Sequence, residues 1–203
     1  MDKTGTGKIR IIACGAIARE IIALLAINDL EHIELTCLPA ILHNHPEKIP
    51  SEVEREILEA RDEGFSKVYI AYADCGTGGH LDKICEKYGV ERIAGPHCYS
   101  FFMGNDAFEA DGDDHMRTFF LTDFLARQFD AFITRPLGLD RYPELRDMYF
   151  GNYSKLVYLA QTEDSELDRR AQIAADQLGL KFERRQTGYG DLNSVIADLG
   201  KSG

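Results

Sequence analysis

No apolar run in this chain approaches the length of a bilayer crossing; the longest candidate, Ile17 to Ile27, is interrupted by Arg19 and Glu20. The first residues, Met1-Asp2-Lys3-Thr4-Gly5, lack the apolar core of a secretory leader and read as a short loose tail, so the expected location is cytoplasmic. Basic clusters are missing as well. With 23 Lys and Arg against 34 Asp and Glu the net charge is -11, which disfavours phosphate backbones; neither nucleic acid nor a membrane is an expected partner. There is no G-x-G-x-x-G motif, and Gly5-Thr6-Gly7-Lys8 runs into Ile9 where a phosphate-binding loop needs Ser or Thr, which excludes a P-loop nucleoside triphosphatase. The chain also has no C-x-x-C pair, no internal repeat of fixed period and no low-complexity linker.

What it has is alternation. The composition, 44% hydrophobic and 28% charged, is ordinary for a globular protein, and 203 residues suffice for one substantial core. Lys8 to Ala13, Ile33 to Cys37, Lys67 to Ala73 and Glu91 to Ala94 read as buried strands. Ala16 to Ile27, Ser51 to Glu63 and a segment from near Gly79 to Gly89 read as helices. Ser51 and Glu54 have capping-box spacing, and Gly64 marks the stop. The pattern returns later with strands at Lys155 to Leu159 and Lys181 to Arg185, and helices at Glu163 to Leu178 and from Asp191. This predicts an α/β fold: an open, mostly parallel sheet with helices on both faces, in a single domain over 1–203. The section at about 100–150 holds most of the phenylalanines, among them Phe101, Phe120, Phe124 and Phe132, and Met116 to Ile133 has helical spacing. It is expected to form an aromatic-rich helical insertion packed on the sheet, and to serve as a lid that excludes water from a pocket.

Five cysteines in a chain of this expected location are free, metal-bound or catalytic rather than paired in disulfides. Three stand where an apolar run gives way to a turn: Ile11-Ile12-Ala13-Cys14-Gly15, Tyr72-Ala73-Asp74-Cys75-Gly76 and Ala94-Gly95-Pro96-His97-Cys98. On parallel strands, all three thiols fall at the carboxyl edge of one sheet, where open α/β folds place their ligands. Thiolates suit a soft or borderline metal, zinc first and an iron–sulfur cluster as the alternative, and three protein ligands leave a position open for substrate. Cys14, Cys75 and Cys98 are therefore candidate metal ligands, with three independent buried thiols as the competing reading. Cys85 shares a helical face with Leu81, Ile84 and Tyr88, and Cys37 ends a strand in an apolar setting; both read as core.

Cys75 opens the glycine-dense stretch Cys75-Gly76-Thr77-Gly78-Gly79 between a strand and a helix. Its N–H groups can cradle an anion, so Gly76, Thr77, Gly78 and Gly79 are candidate ligand-binding residues for a small molecule. A tight turn needing positive φ is the alternative. His97 and Asp74, next to the thiols in sequence, are the candidate catalytic groups, His97 as proton carrier. His43, in the loop after the second strand, faces the same edge and joins the ligand-binding set, whereas His45 reads as solvated. Helix starts near Ala16 and Gly79 are expected to lower the thiol pKa values. Asp111-Gly112-Asp113-Asp114-His115 resembles a calcium-loop fragment without its spaced glutamate and reads as a solvated loop. Asp123, Arg127, Arg141 and Asn152 read as buried ion pairs or backbone caps as readily as substrate contacts.

Several stretches together resemble the bacterial and archaeal family catalogued as domain of unknown function 1638. They are Ala13-Cys14-Gly15-Ala16, Leu38-Pro39-Ala40 with His43-Asn44, Tyr72-Ala73-Asp74-Cys75-Gly76-Thr77-Gly78-Gly79, Gly95-Pro96-His97-Cys98-Tyr99, Phe119-Phe120-Leu121-Thr122-Asp123-Phe124 and Tyr149-Phe150-Gly151-Asn152-Tyr153. The resemblance implies a genomic setting beside corrinoid proteins and their methyltransferases, hence a role in corrinoid-linked one-carbon metabolism with such a protein as partner. Joined to the thiols, it suggests a metal- or iron–sulfur-binding protein that activates a thiol for methyl transfer. A non-enzymatic holder of cofactor or metal, and a small-molecule sensor using the glycine loop alone, are the alternatives.

Overall fold

The computed structural model describes residues 7–201, and the expected tail over Met1 to Gly5 lies outside the described residues. From the amino end run β1 (Ile9–Cys14), α1 (Ala18–Ile27), β2 (Ile33–Leu38), α2 (Ile49–Asp62), β3 (Lys67–Ala71), α3 (His80–Tyr88) and the two-residue β4 (Glu91–Arg92). Then come α4 (Cys98–Met103), α5 (Asn105–Ala110), β5 (Thr118–Thr122), α6 (Asp123–Phe129), α7 (Leu145–Phe150), β6 (Lys155–Ala160), α8 (Ser165–Leu178), β7 (Lys181–Gln186) and α9 (Asp191–Lys201). All strand pairings are parallel, which with the flanking helices is the α/β architecture that the alternation predicts. The strands fall into two sheets rather than one, in the orders β2-β1-β3-β4 and β5-β6-β7. Residues 7–101 with 191–201 form one compact unit and Phe102–Gly190 the other. Among the described residues no helix is long and apolar enough to cross a membrane.

In the first unit, β1 pairs with both β2 and β3, so Ile11 and Ile12 are fully buried on opposite faces. Ile12 joins Leu38, Ile70 and Tyr72 in a core closed by Val53 and Ile57 of α2 and Leu81 and Cys85 of α3. α1 packs against α9, where Gly200 lies so close to Leu30 that a Cβ would stand 2.4 Å from Leu30 Cδ2. In the second unit, Leu156 to Ala160 is a continuous buried run, as a central parallel strand requires. Its aromatic rings pair edge to face: Phe119 with Phe150 at 5.3 Å and Phe124 with Phe132 at 5.0 Å between centroids.

Two local expectations fail for identifiable reasons. The helical spacing from Met116 hides β5, because Thr118-Phe119-Phe120-Leu121-Thr122 is a β-branched and aromatic run, and Thr122 then caps α6 by accepting from the Leu125 N–H. The Ser51 capping box does not form. A 3₁₀ turn at Pro46–Lys48 leads straight into α2 at Ile49, with Pro50 in the first turn where its missing N–H costs nothing. Ser51 Oγ donates to the Lys48 carbonyl, and Glu54 instead binds Lys87 Nζ and the Tyr88 hydroxyl.

Candidate functional site: thiols at the carboxyl edge of the first sheet

The strand ends place the site. Cys14 is the last residue of β1, and its sulfur accepts from the Ala16 N–H at 3.5 Å. Gly15 allows this turn to press on the end of β2, since a Cβ there would stand 2.9 Å from the Leu38 carbonyl oxygen. Beyond β3 the chain stays extended beside the residues after β4: Asp74 N–H donates to Gly95 O at 3.0 Å and Cys75 N–H to Pro96 O at 2.8 Å. Cys98 follows at the start of α4 and gives its N–H to the Cys75 sulfur. Cys14, Cys75 and Cys98, all partly buried, thus lie on adjoining loops, near enough that the charge of Cys14 acts on Cys75 and Cys98, and that of Cys75 on Cys98.

Their acidity runs opposite to the expected helix-terminus effect. Burial raises Cys14, pushes Cys75 up to about 12 and Cys98 well above the ordinary thiol range. The neighbouring sulfurs add to the rise at Cys75 and Cys98, and the N–H donors offset only part of it. Without metal the cluster is a set of neutral thiols. An unfolded Cys75 ionises near its ordinary 9.0, the folded one only near 12, so the stability of its neutral state is intact below about pH 9 and lost as pH climbs toward 12. Metal-free protein should therefore show a thermal midpoint that falls steadily above about pH 9, and Cys75→Ala should flatten that fall; a midpoint insensitive to pH in this range would contradict the burial.

The glycine loop closes on the chain's own carboxylate. Asp74 Oδ1 accepts from Thr77 Oγ1 at 2.7 Å and Gly79 N–H at 2.9 Å, and Oδ2 from Gly78 N–H at 3.2 Å, while Thr77 N–H donates to the Asp74 carbonyl. Burial by itself would raise Asp74, but these bonds and the charge of Arg92 outweigh it and hold the carboxyl below its usual range. Three of the N–H groups expected to cradle a ligand are thus taken, and Asp74 acts as the loop's fastener. Gly76, Gly78 and Gly79 all have positive φ, which only glycine adopts without cost. Cys75 shares that conformation, with φ of +49°, although its Cβ makes it unfavourable by about 1–2 kcal/mol.

His43 lies in the 3₁₀ turn Ala40–Asn44 and His97 just before Cys98, both reaching the surface. Desolvation lowers both, and the charge of His97 lowers His43 further, so the two rings are neighbours that stay neutral to lower pH than an ordinary histidine. Tyr72 is the residue that sequence reading misses. It is 2% exposed, and its hydroxyl is buried near Cys14 with no hydrogen-bond partner among the described residues. Its alternation with Ile70 and Val68 onto the α2 and α3 face is the signal that points it there. Cys85 is buried in the core, but Cys37 is exposed, because β2 is the edge strand and its end is covered on one flank only. Burial and the charge of Cys14 push Cys37 up to about 11.

Among the described residues no three His, Cys, Asp or Glu side chains are spaced to grip one ion. Thiolates are soft donors, but here the three sulfurs stand on adjoining loops without the spacing of a formed metal site.

The other polar candidates sit in the second unit and do structural work. Asp123 is fully buried and accepts from the Tyr158 hydroxyl, the N–H groups of Gln161 and Thr162, and Thr162 Oγ1, with Arg127 at 3.7 Å. Arg141 and Asn152 are exposed, not buried. In the acidic loop, Asp111 pairs with Arg185 and Asp114 with Lys155, which ties it to β7 and β6.

No curated protein and no solved structure matches the chain. The family model described as protein of unknown function (DUF1638) matches residues 37–196, a span that holds Cys37, Cys75, Cys98, the glycine loop and the Asp123 network. Over most of its length, then, the chain is built on that family's pattern, and it belongs to the DUF1638 family.

Proposed function

We propose that Cys14, Cys75 and Cys98 form a soft-metal site, zinc first and an iron–sulfur cluster as the alternative, in a protein of corrinoid-linked one-carbon metabolism. The observation that carries this reading is the gathering of three thiols from three loops at one sheet edge, one of them held in a left-handed conformation. Residues kept in sparsely populated conformations cluster at functional sites, and Cys75 is one of only two such non-glycine residues among those described, the other being Asp29. A thiolate-held zinc supplies acidification of a bound thiol, the activation that methyl transfer to a thiol needs. In this reading the three cysteines give up their protons on binding metal, so uptake weakens as pH falls. His97, neutral near pH 7, accepts a proton at the rim with His43 beside it, and Asp74 holds the loop that presents Cys75.

One observation favours a non-enzymatic holder for a corrinoid protein or methyltransferase. The nearest carboxylate is spent on its own loop, which leaves the histidines as the proton carriers. Elemental analysis and an optical spectrum of anaerobically purified full-length protein test the metal. Near-stoichiometric zinc, or iron with sulfide, is expected. Protein that is isolated metal-free, stays folded and takes up neither ion on addition would end the proposal.

A further inference from the structure

We infer that a cavity between α6 and α8, in the second unit, binds a small monocarboxylate with a compact apolar body, held by the guanidinium of Arg127. This site belongs to other residues than the thiols and does not rest on the metal reading. α6 packs on α8, and the gap between them is lined by Ala126 and Ala174, buried side chains too small to fill it. A cavity of about 250 Å³ remains, with Ile173 as a further apolar wall. Sites for drug-sized ligands span roughly 300–1,000 Å³, so the occupant here is smaller. Past α6 the helix widens. Arg135 N–H donates to the Asp130 carbonyl and Leu139 N–H to the Thr134 carbonyl, each at 2.9 Å and five residues back instead of four. Such π turns are rare and occur frequently at functional sites. This one brings Thr134 to the cavity, where its hydroxyl oxygen accepts from Gln177 Nε2 at 3.3 Å.

Arg127 is the group left unspent. Its side chain is 22% exposed and lines the cavity, yet its five N–H donors make no hydrogen bond among the described residues. Asp123 lies 3.7 Å away, beyond hydrogen-bond reach, and already accepts from Tyr158, Gln161 and Thr162. Arg170, also in the lining, gives only its Nε, to Glu166 at 2.9 Å. A guanidinium presents parallel N–H groups that match the two oxygens of a carboxylate. Each of these arginines has a carboxylate nearby, and Asp130 in the lining pairs with Arg135 at 2.6 Å, so no surplus of positive charge is there to hold a dianion. One negative charge beside apolar walls is the ligand that such a lining satisfies.

Full-length protein is titrated by calorimetry with butyrate and benzoate. Benzyl alcohol serves as the uncharged counterpart of benzoate and inorganic phosphate as the competing anion, while thermal melts report the fold. At least one of the two carboxylates should bind, with benzyl alcohol and phosphate at least about tenfold weaker. Arg127→Gln should weaken carboxylate binding roughly 10- to 100-fold. Ile173→Glu, at a position already 48% exposed, should abolish it by placing a like charge on the cavity wall. Arg169→Gln, on α8 but outside the cavity, should leave it unchanged. Failure of both carboxylates to bind, equal binding of benzyl alcohol, or tighter binding of phosphate would overturn the inference. So would binding that survives Ile173→Glu, which decides the matter alone if Arg127→Gln does not fold. A loss in Arg169→Gln as large as that in Arg127→Gln would also overturn it, since surface charge and not the cavity would then hold the anion.

Discussion

Asp123→Ala should cost the second unit about 3–5 kcal/mol, a large fraction of a typical domain's stability. The carboxylate is 0% exposed and receives four hydrogen bonds of 2.6–3.1 Å from three residues. Deleting it leaves the Tyr158 hydroxyl and two backbone N–H groups buried without partners, and each such loss costs about 1–3 kcal/mol before relaxation. The bonds also join the end of β5 to the turn after β6, so their loss frees both strand ends. Asp123→Asn should be damaging as well, because its amide turns a donor toward donors at either oxygen position. Tyr158→Phe should be the mildest, at about 1 kcal/mol, since it removes one donor and leaves the carboxylate its other three. Urea denaturation followed by a probe in the second unit gives the comparison through its midpoints. A loss below about 1 kcal/mol for Asp123→Ala would show that water replaces the carboxylate, contrary to its burial.

The second large effect separates thiols that bind from thiols that pack. Cys75→Gly should weaken metal uptake by more than about 100-fold, since one of three thiolates is gone, yet change stability by less than about 1 kcal/mol. Relief of the left-handed strain, about 1–2 kcal/mol, is offset by the greater freedom glycine brings to the unfolded chain. Cys85→Ser should do the reverse. Cys85 is 6% exposed in the core beneath α3, and a hydroxyl there without a partner costs about 1–3 kcal/mol while leaving the loops and their sulfurs in place. Isothermal titration with Zn²⁺ and thermal melts on both variants make the test. Equal zinc affinity in wild type and Cys75→Gly would remove Cys75 from the ligand set.

Much of the second sheet's outline is legible from local pattern. Leu156 to Ala160 is apolar throughout and β7 follows a helix of readable length, so both strands emerge from periodicity alone. β5 does not, because Met116 to Ile133 satisfies helical spacing while the β-branched and aromatic residues within it prefer a strand, and pairing with β6 decides between them. Ser51 shows the same limit at a helix start. Its spacing to Glu54 suits a capping box, but the proline turn before it moves the helix start to Ile49, and no local rule weighs the one against the other.

Composition and periodicity by themselves determine that this chain builds parallel α/β layers, and that Cys14 ends the first strand while Cys75 and Cys98 follow the third and fourth. Both properties are local: a buried strand is a short apolar run, and its end is the next turn former. Tertiary structure alone decides that there are two sheets, that Cys37 lies at an open edge, and that the Tyr72 hydroxyl is buried without a partner among the described residues. It also decides that burial leaves the thiols less acidic than their helix starts suggest. Strand order, hydrogen-bond partners and desolvation all depend on residues far apart in the chain, and the energies that choose among them exist only once those residues are brought together.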